Sequence, residues 1–223
     1  MLEPTHYTIT KEQLQQAVRS LPNIDSRLVL NQPSGDFFND PWEIKPEFKG
    51  TVWEEILDTI IVDKGEARLI KLAPGEAYPS HADIDDRWHL TIKGNHSFLI
   101  DLETNTMHLT DTTGQWYTMN AGHRHTAANF GSEDRVQLVV RHLLPVNVLK
   151  DPIEVFITLK DVVVDRRFIF DDVISPWLNA AFKRGIVSKF NGQDLIATLT
   201  IEVAHLEELE VLTKDYFTLT IDV

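Results

Sequence analysis

From residue 66 onward the chain alternates polar and apolar positions in short runs rich in β-branched and aromatic residues. The runs are EARLIKLA, WHLTI, HSFLIDLE, MHLT, QWYTM, HTAAN and RVQLVVRHLL, and turn formers such as Pro74-Gly75 and Gly94-Asn95 separate them. A period of two places successive side chains on opposite faces of a strand. Many short strands at close spacing are typical of a β-sandwich or barrel and not of a βαβ fold. Residues 66–145 are therefore predicted to form a jelly roll, or double-stranded β-helix.

The segments before this region have a different periodicity. Residues 11–21 (KEQLQQAVRSL) predict a short amphipathic helix with Thr10 as its N-cap, and residues 52–61 (VWEEILDTII) predict a second helix. Residues 31–42 (NQPSGDFFNDPW) combine turn formers with aromatic side chains that are costly to leave in water, so we expect an ordered loop there.

A boundary is expected between Pro145 and Pro152. Beyond it, IEVFITL, LIATLTIEV and YFTLTIDV predict strands, and ISPWLNAAFKRGIVSKF predicts a helix with Ser175 as N-cap before Pro176. The predicted class is mainly β. A cupin-like jelly-roll domain with N-terminal helices (1–148) precedes a small α+β unit (149–223), which could cover the barrel, form a dimer contact or recognise substrate.

Composition narrows the choice of partners and chemistry. The 223 residues are 43% hydrophobic and 25% charged, which is enough for a globular core, and 21 basic against 34 acidic residues give a net charge of −13. Nucleic-acid binding needs a dense basic surface, so we expect no nucleic-acid partner. The chain has no cysteine, so a metal must be bound by His, Asp, Glu or backbone oxygens. No signal-like or 18-residue apolar run is present, so we expect a cytoplasmic protein without a membrane contact.

A candidate metal site comes from two distant stretches of the chain. His81 and Asp83 stand at i and i+2, so both side chains project to one side of an extended segment. His125 follows in another predicted strand, and a jelly roll folds distant strands over one another. Two imidazoles and one carboxylate are the ligands of non-haem iron(II) oxygenases, although they would also accept zinc, manganese or cobalt.

Two arginines are candidate anion ligands. Arg135 stands ten residues after His125 and would return towards the metal across a turn, where a guanidinium can bind a carboxylate with two hydrogen bonds. The alternative is a surface Arg135 paired with Glu133 or Asp134.

Arg87 shares a predicted strand face with His89. A positive charge that points into a barrel is costly unless it meets an anion. The alternative is that Arg87 pairs with Asp85 or Asp86 outside the barrel.

Together these stretches resemble the aspartyl/asparaginyl β-hydroxylase branch of the 2-oxoglutarate oxygenases, which includes free-proline hydroxylases. The resemblance covers residues 66–143. The matching positions are His81 and Asp83 for the first ligand pair, Arg87 and His89 for the R-x-H pair, Gln115-Trp116 for the tryptophan strand, His125 for the distal ligand and Arg135 for the co-substrate arginine. His123 is the weaker candidate for the distal ligand, because its tenth following residue is Glu133, which cannot hold a carboxylate.

The resemblance implies an enzyme that uses Fe(II), 2-oxoglutarate and O2 to hydroxylate an unactivated C–H. Its His81, Asp83 and His125 would bind the metal, and Arg135, His89 and Arg87 would contact 2-oxoglutarate. The expected substrate is an amino acid, free or within a peptide, and a homo-oligomer is left open. Two rivals remain: a cupin-type metal enzyme that does not use 2-oxoglutarate, and a non-catalytic jelly-roll binding module.

Overall fold

A computed structural model of the protein describes residues 2–160, 170–193 and 196–222. The chain divides into two units, Met1–Ser80 with Asp85–Leu143, and His81–Ile84 with Leu144–Val223. The division into domains at residue 148 stays a prediction.

The first unit is built from antiparallel strands and two α-helices. Its elements are β1 (Leu2–Thr8), α1 (Lys11–Arg19), β2 (Arg27–Val29), β3 (Asn31–Pro33), β4 (Trp42–Ile44), α2 (Val52–Asp58), β5 (Lys64–Leu72), β6 (Arg87–Lys93), β7 (Ser97–Asp101), β8 (Thr106–Leu109), β9 (Gln115–Met119), β10 (His125–Asn129) and β11 (Arg135–His142). One sheet has the order β1-β9-β6-β11-β5-β2 and a smaller one the order β10-β7-β8, while β3 and β4 form a two-stranded ribbon. The predicted mainly β, jelly-roll and cupin-like fold is confirmed.

The local predictions for the first unit hold, except that two strands were not predicted and one predicted loop is partly strand. A strand lies in each of the seven predicted runs, and Thr10 caps α1 by accepting a hydrogen bond from the N–H of Gln13. Strands β1 and β2 were not predicted, because their burial patterns show no clean alternation of buried and exposed positions. The predicted loop 31–42 contains the paired strands β3 and β4, so only its tip is a loop.

The hydrophobic core of the first unit lies on one face of the large sheet. Alternate residues of the central strands point to this face and pack against α1 and α2. They are Ala67 and Leu69 of β5, Trp88, Leu90 and Ile92 of β6, and Val136, Leu138 and Val140 of β11. We call this the outer face, and it carries the binary pattern that the sequence shows most clearly.

The opposite, inner face of the large sheet is turned towards the small sheet. Leu72 and Met119 on this face pack with Leu99 and Ala127 of the small sheet. Because strand side chains alternate, the residues between the outer-face positions also point inward. On the two central strands these are Arg87, His89 and Thr91 of β6, and Arg135, Gln137, Val139 and Arg141 of β11, all of them buried. The inner face is therefore polar and basic in an acidic protein.

The second unit contains a four-stranded antiparallel sheet with helices. Its elements are β12 (Pro152–Leu159), α3 (Ser175–Arg184), β13 (Val187–Gln193), β14 (Ile196–Glu202), α4 (Leu206–Thr213) and β15 (Phe217–Asp222), and the sheet order is β13-β14-β12-β15. The side-chain amide of Asn179 donates to the carbonyl of Ile84 at 3.1 Å, which ties the segment His81–Ile84 to α3 within this unit.

Two predictions about α3 are wrong. Ser175 is the first residue of the helix and not its N-cap, because a π-helical turn (Phe170–Ile174) precedes it. The helix ends at Arg184, because Gly185 adopts a left-handed conformation with φ 75°, and the rest of the predicted helix is β13. The predicted strand ends at Leu195 and Val223 lie outside the described residues.

Leu138→Ala should destabilise the protein, because Leu138 is fully buried between the large sheet and the helices. We expect a loss of about 2–5 kcal/mol in the free energy of unfolding, measured by urea denaturation. Ile61→Ala is the control, since Ile61 is 80% exposed. Equal losses for the two variants would contradict this assignment of the core.

Candidate active site

Three side chains from the predicted metal site converge. One ligand atom from each of His81, Asp83 and His125 lies within 4.8 Å of the other two. His81 Nε2 is 4.0 Å from the Asp83 carboxylate, and both side chains are partly exposed, whereas His125 is buried. This spacing suits a single ion at the centre of the three groups, and the set of two imidazoles and a carboxylate suits iron(II).

The orientation of His125 is fixed by the chain just before it. Its Nδ1–H donates to the carbonyl of His123 at 2.7 Å, so Nε2 is the ring nitrogen that would bind a metal. His123 in turn contacts the buried Asp101, whose carboxylate lies 3.0 Å from its Nδ1. Burial would raise the pKa of Asp101, but hydrogen bonds from the Thr104 N–H and the His123 ring hold it below its ordinary value. His123 therefore holds the ring of His125 and is not brought into the cluster itself.

A tight turn connects the strand of His125 to Arg135. The Asn129 side chain donates to the carbonyls of Leu72 and Glu133 and accepts from the N–H of Gly131, so it holds both sides of the turn. A Cβ atom at Gly131 would lie 2.1 Å from the carbonyl oxygen of Asn95, so only glycine fits there. This turn places Arg135 at the start of β11 with its side chain on the inner face.

Arg135 is 1% exposed, which excludes the alternative of a surface ion pair. One of its terminal nitrogens donates to Gln137, whose amide also donates to Thr91 at 3.2 Å. Burial lowers the pKa of Arg135 to about 10, and Tyr78 opposes this shift. Arg135 is therefore a positive charge at neutral pH, held in place by a neutral amide.

Tyr78 is a candidate that the sequence did not reveal. Its backbone is fixed beside β10, because its N–H donates to Ala127 and its carbonyl accepts from Thr126. Burial raises the pKa of Tyr78 while the charge of Arg135 lowers it, which places the two groups within electrostatic range. Within the described structure, Tyr78 O–H and Arg135 Nε are both buried without a hydrogen-bond partner.

His89 lies on the inner face of β6, within electrostatic range of Arg135. Its Nδ1 is 3.1 Å from the side-chain oxygen of Gln137, and its Nε2 is buried without a partner in the described part of the chain. Burial, together with the charges of the nearby Arg135, His125 and Arg87, lowers the pKa of His89 to about 3, although the hydrogen bond to Gln137 opposes this shift. His89 is thus a neutral imidazole at pH 7, close to both the metal ligand and the arginine.

Arg87 pairs with Asp85, as the alternative interpretation of the sequence predicted. Both side chains are buried, however, and do not lie outside the barrel. Asp85 also accepts from Arg141, the residue opposite Arg87 in the neighbouring strand. Neither Asp85 nor Arg141 was predicted as a site residue. The alternation along β11 could have indicated Arg141, because it shares the face of Arg135. The predicted contact of Arg87 with 2-oxoglutarate stays a prediction.

Comparison with known proteins agrees with this geometry. Residues 44–145 match the model of the aspartyl/asparaginyl beta-hydroxylase family, which confirms the resemblance for that part of the chain. The match and the His-Asp-His cluster support a metal-dependent, hydroxylase-like function. No curated protein matches the chain.

Several solved structures match parts of the chain at low similarity. A cupin domain from Bordetella pertussis has 12% identity and a TM-score of 0.32, over 53% of this chain and 97% of that one. A predicted oxalate decarboxylase from Thermotoga maritima has 21% identity and a TM-score of 0.30, over 36% and 68%. The DMSP lyase DddQ from Ruegeria pomeroyi has 11% identity and a TM-score of 0.32, over 64% and 77%.

No helix in the described parts of the chain has both the length and the apolar character needed to cross a membrane.

Removing any of the three converging side chains should abolish tight metal binding. We expect His81→Ala, Asp83→Ala and His125→Ala each to weaken Co(II) binding by about 100-fold or more, because each removes one of three ligands. Visible absorption of Co(II) measures this. His205→Ala is the control, since His205 lies on the surface beside Glu208. Unchanged Co(II) affinity in Asp83→Ala would contradict the site.

The stability of the metal-free protein should depend on His89. Below pH 6.5 the unfolded chain takes up a proton on this imidazole, while the folded protein does not until about pH 3, so stability falls as the pH falls through this window. Between pH 7 and pH 5, His89 should lower the free energy of unfolding by about 2 kcal/mol. His89→Gln should flatten the pH dependence of the unfolding free energy by that amount, measured with urea in EDTA. Parallel pH profiles for the two proteins would refute a buried neutral His89.

Proposed function

We propose that this protein is an Fe(II)- and 2-oxoglutarate-dependent dioxygenase that hydroxylates an unactivated C–H of an amino acid, free or within a peptide. One observation carries the proposal. Buried polar atoms of Tyr78, His89 and Arg135 lack partners within the described structure, and His89 is close enough to His125 to be affected by its charge. Buried polar atoms without partners are costly, and at a functional site a ligand is the expected partner.

His81, Asp83 and His125 would hold the iron. Three protein ligands leave other coordination positions open, as oxygenase chemistry requires. When bound, the metal supplies the activation of O2 that, with 2-oxoglutarate as co-substrate, puts one oxygen atom into the product and the other into succinate, with release of carbon dioxide. The hydrogen bond from His125 to the His123 carbonyl keeps the ring in the tautomer that this role needs.

Arg135 and Tyr78 would bind the distal carboxylate of 2-oxoglutarate. The Arg135 guanidinium has a buried N–H without a partner, and the neighbouring phenol is a second donor. A charge-assisted hydrogen bond in a dry site is about twice as strong as a neutral one, so the pair would select a carboxylate over a neutral group. Gln137 holds the guanidinium in place through the side-chain bond between them.

Apolar side chains around these groups would keep water out. Leu72, Leu99 and Ala127 are buried together with Tyr78 packed against them, so they limit hydration of the inner face. Exclusion of water strengthens the electrostatic attraction between a guanidinium and a carboxylate and protects a reactive centre from side reactions.

The two rivals explain fewer of these observations. A cupin-type metal enzyme that does not use 2-oxoglutarate would have no need for a buried guanidinium at position 135. A binding module without a metal would leave the convergence of His81, Asp83 and His125 without a purpose.

Addition of 2-oxoglutarate to the anaerobic Fe(II) protein should produce a visible charge-transfer band, because the co-substrate would bind the metal directly. Titration of the band gives the dissociation constant of 2-oxoglutarate. Arg135→Met should weaken it by about 100-fold or more, and Tyr78→Phe by about 5- to 20-fold, since each removes donors to the distal carboxylate.

Tyr7→Phe is the matched control, because Tyr7 packs against the outer-face core. A missing band in a protein that binds iron would favour the cupin-type rival. Unchanged affinity in Arg135→Met would show that the co-substrate binds elsewhere.

A further inference from the structure

A second guanidinium on the inner face has the features of a ligand-binding group. Arg141 is 3% exposed, and its Nη2 is buried without a hydrogen-bond partner in the described structure. Its Nε donates to Asp85, and its Nη1 lies 3.4 Å from the carbonyl of Phe37. One edge of the buried guanidinium therefore donates no hydrogen bond within the described structure.

Arg141 shares its carboxylate partner with a second arginine. Asp85 accepts from both Arg87 and Arg141, so one buried carboxylate is shared by two buried guanidinium groups. The nearby Glu66 already forms ion pairs with Arg27 and Arg68. A buried N–H without a partner is unfavourable, and an anion that binds the Nη2 of Arg141 would satisfy it.

Arg141 is too far from Arg135 for both to bind one end of the same molecule. The two residues are six positions apart on β11, which corresponds to about 20 Å between their Cα atoms in an extended strand. His89, paired with Val139, lies between them and is electrostatically coupled to the metal ligand His125. The inner face thus has a basic group on each side of the imidazole that is near the metal ligand.

An aromatic hairpin covers Arg141. The guanidinium carbon lies 4.4 Å from the ring centre of Phe37 and 4.5 Å from that of Phe38. The base of the hairpin is fixed, because buried Asn31 exchanges hydrogen bonds with Gly65 and Ala67 of β5. Its tip is exposed, with Phe37 44% accessible. Two rings over a guanidinium hold it flat and leave its edge for a planar partner.

We propose that Arg141 binds a carboxylate group of the substrate that is hydroxylated. Asp85 orients its guanidinium, and the rings of Phe37 and Phe38 cover it. This inference rests on the proposed function, since it assigns the second anion position to the substrate and the Arg135 position to 2-oxoglutarate. The substrate is then a carboxylic acid with an apolar portion that contacts the two rings. Arg141 acts as a specificity-determining residue and does not bind the metal.

The test measures binding separately from oxidation. Zn(II)-loaded protein, which cannot turn over, is titrated by calorimetry with L-aspartate and L-asparagine, and with L-proline and L-prolinamide. Each pair differs in one carboxylate that is replaced by an amide. We expect the acid of at least one pair to bind about tenfold or more tightly than its amide.

Arg141→Met should remove this preference, with a loss of about 30-fold or more in affinity for the acid, because a buried charged partner is lost. Arg141→Lys keeps the positive charge and should recover only part of the affinity for the acid. Comparison of the two variants separates a loss of binding from a folding defect. The matched control is Arg27→Met, since Arg27 is half-exposed and paired with Glu66. Circular dichroism checks that each variant is folded.

Equal binding of acid and amide, no binding of either acid, or a preference that survives in Arg141→Met would overturn the proposal. A purely structural Arg141 that only anchors the hairpin would weaken acid and amide alike. Failure of the proposed function is seen separately, as the absence of a charge-transfer band with Fe(II) and 2-oxoglutarate while the preference for the acid persists.

Discussion

The burial of positive charge on the inner face of the large sheet is the constraint on which the rest of the structure depends. Arg87, Arg135 and Arg141 are each at most 5% exposed, in a protein whose net charge is −13. Desolvated guanidinium groups persist only where neighbouring groups or ligands compensate them. Asp85 pairs with Arg87 and Arg141, and the neutral amide of Gln137 holds Arg135.

The fold tolerates this inner face because its hydrophobic core lies elsewhere. The outer face of the same strands packs against α1 and α2, so the larger apolar core lies outside the interior between the two sheets, where a smaller apolar cluster is found. Alternation along β11 separates the two tasks within one strand: Val136, Leu138 and Val140 face the helices, while Arg135, Gln137 and Arg141 face inward. Residues that determine stability and residues of the candidate site therefore lie on opposite faces of one sheet.

The sequence was sufficient for the architecture and for part of the site. Alternation predicted the seven strands between residues 64 and 142, and the spacing of His81, Asp83 and His125 predicted groups that the structure brings together. Strand β1 escaped prediction because its side chains show no regular period, and the end of α3 depends on the left-handed Gly185 rather than on hydrophobic spacing.

The partners of the charged residues could not be predicted, because they depend on strand register. Asp85 joins Arg87 and Arg141 only because these two arginines are directly opposite in β6 and β11. Tyr78 lies within electrostatic range of Arg135 because its backbone pairs with β10, and no local sequence pattern predicts that pairing. Long-range pairing of this kind is decided by the packing of the whole sheet.

The most direct test of the account is an anaerobic crystal structure with Mn(II) and 2-oxoglutarate. The account predicts one metal ion bound by His81, Asp83 and His125, and the distal carboxylate of 2-oxoglutarate hydrogen-bonded to Arg135 and Tyr78. A metal bound elsewhere, or a 2-oxoglutarate whose distal carboxylate makes no contact with Arg135, would contradict it.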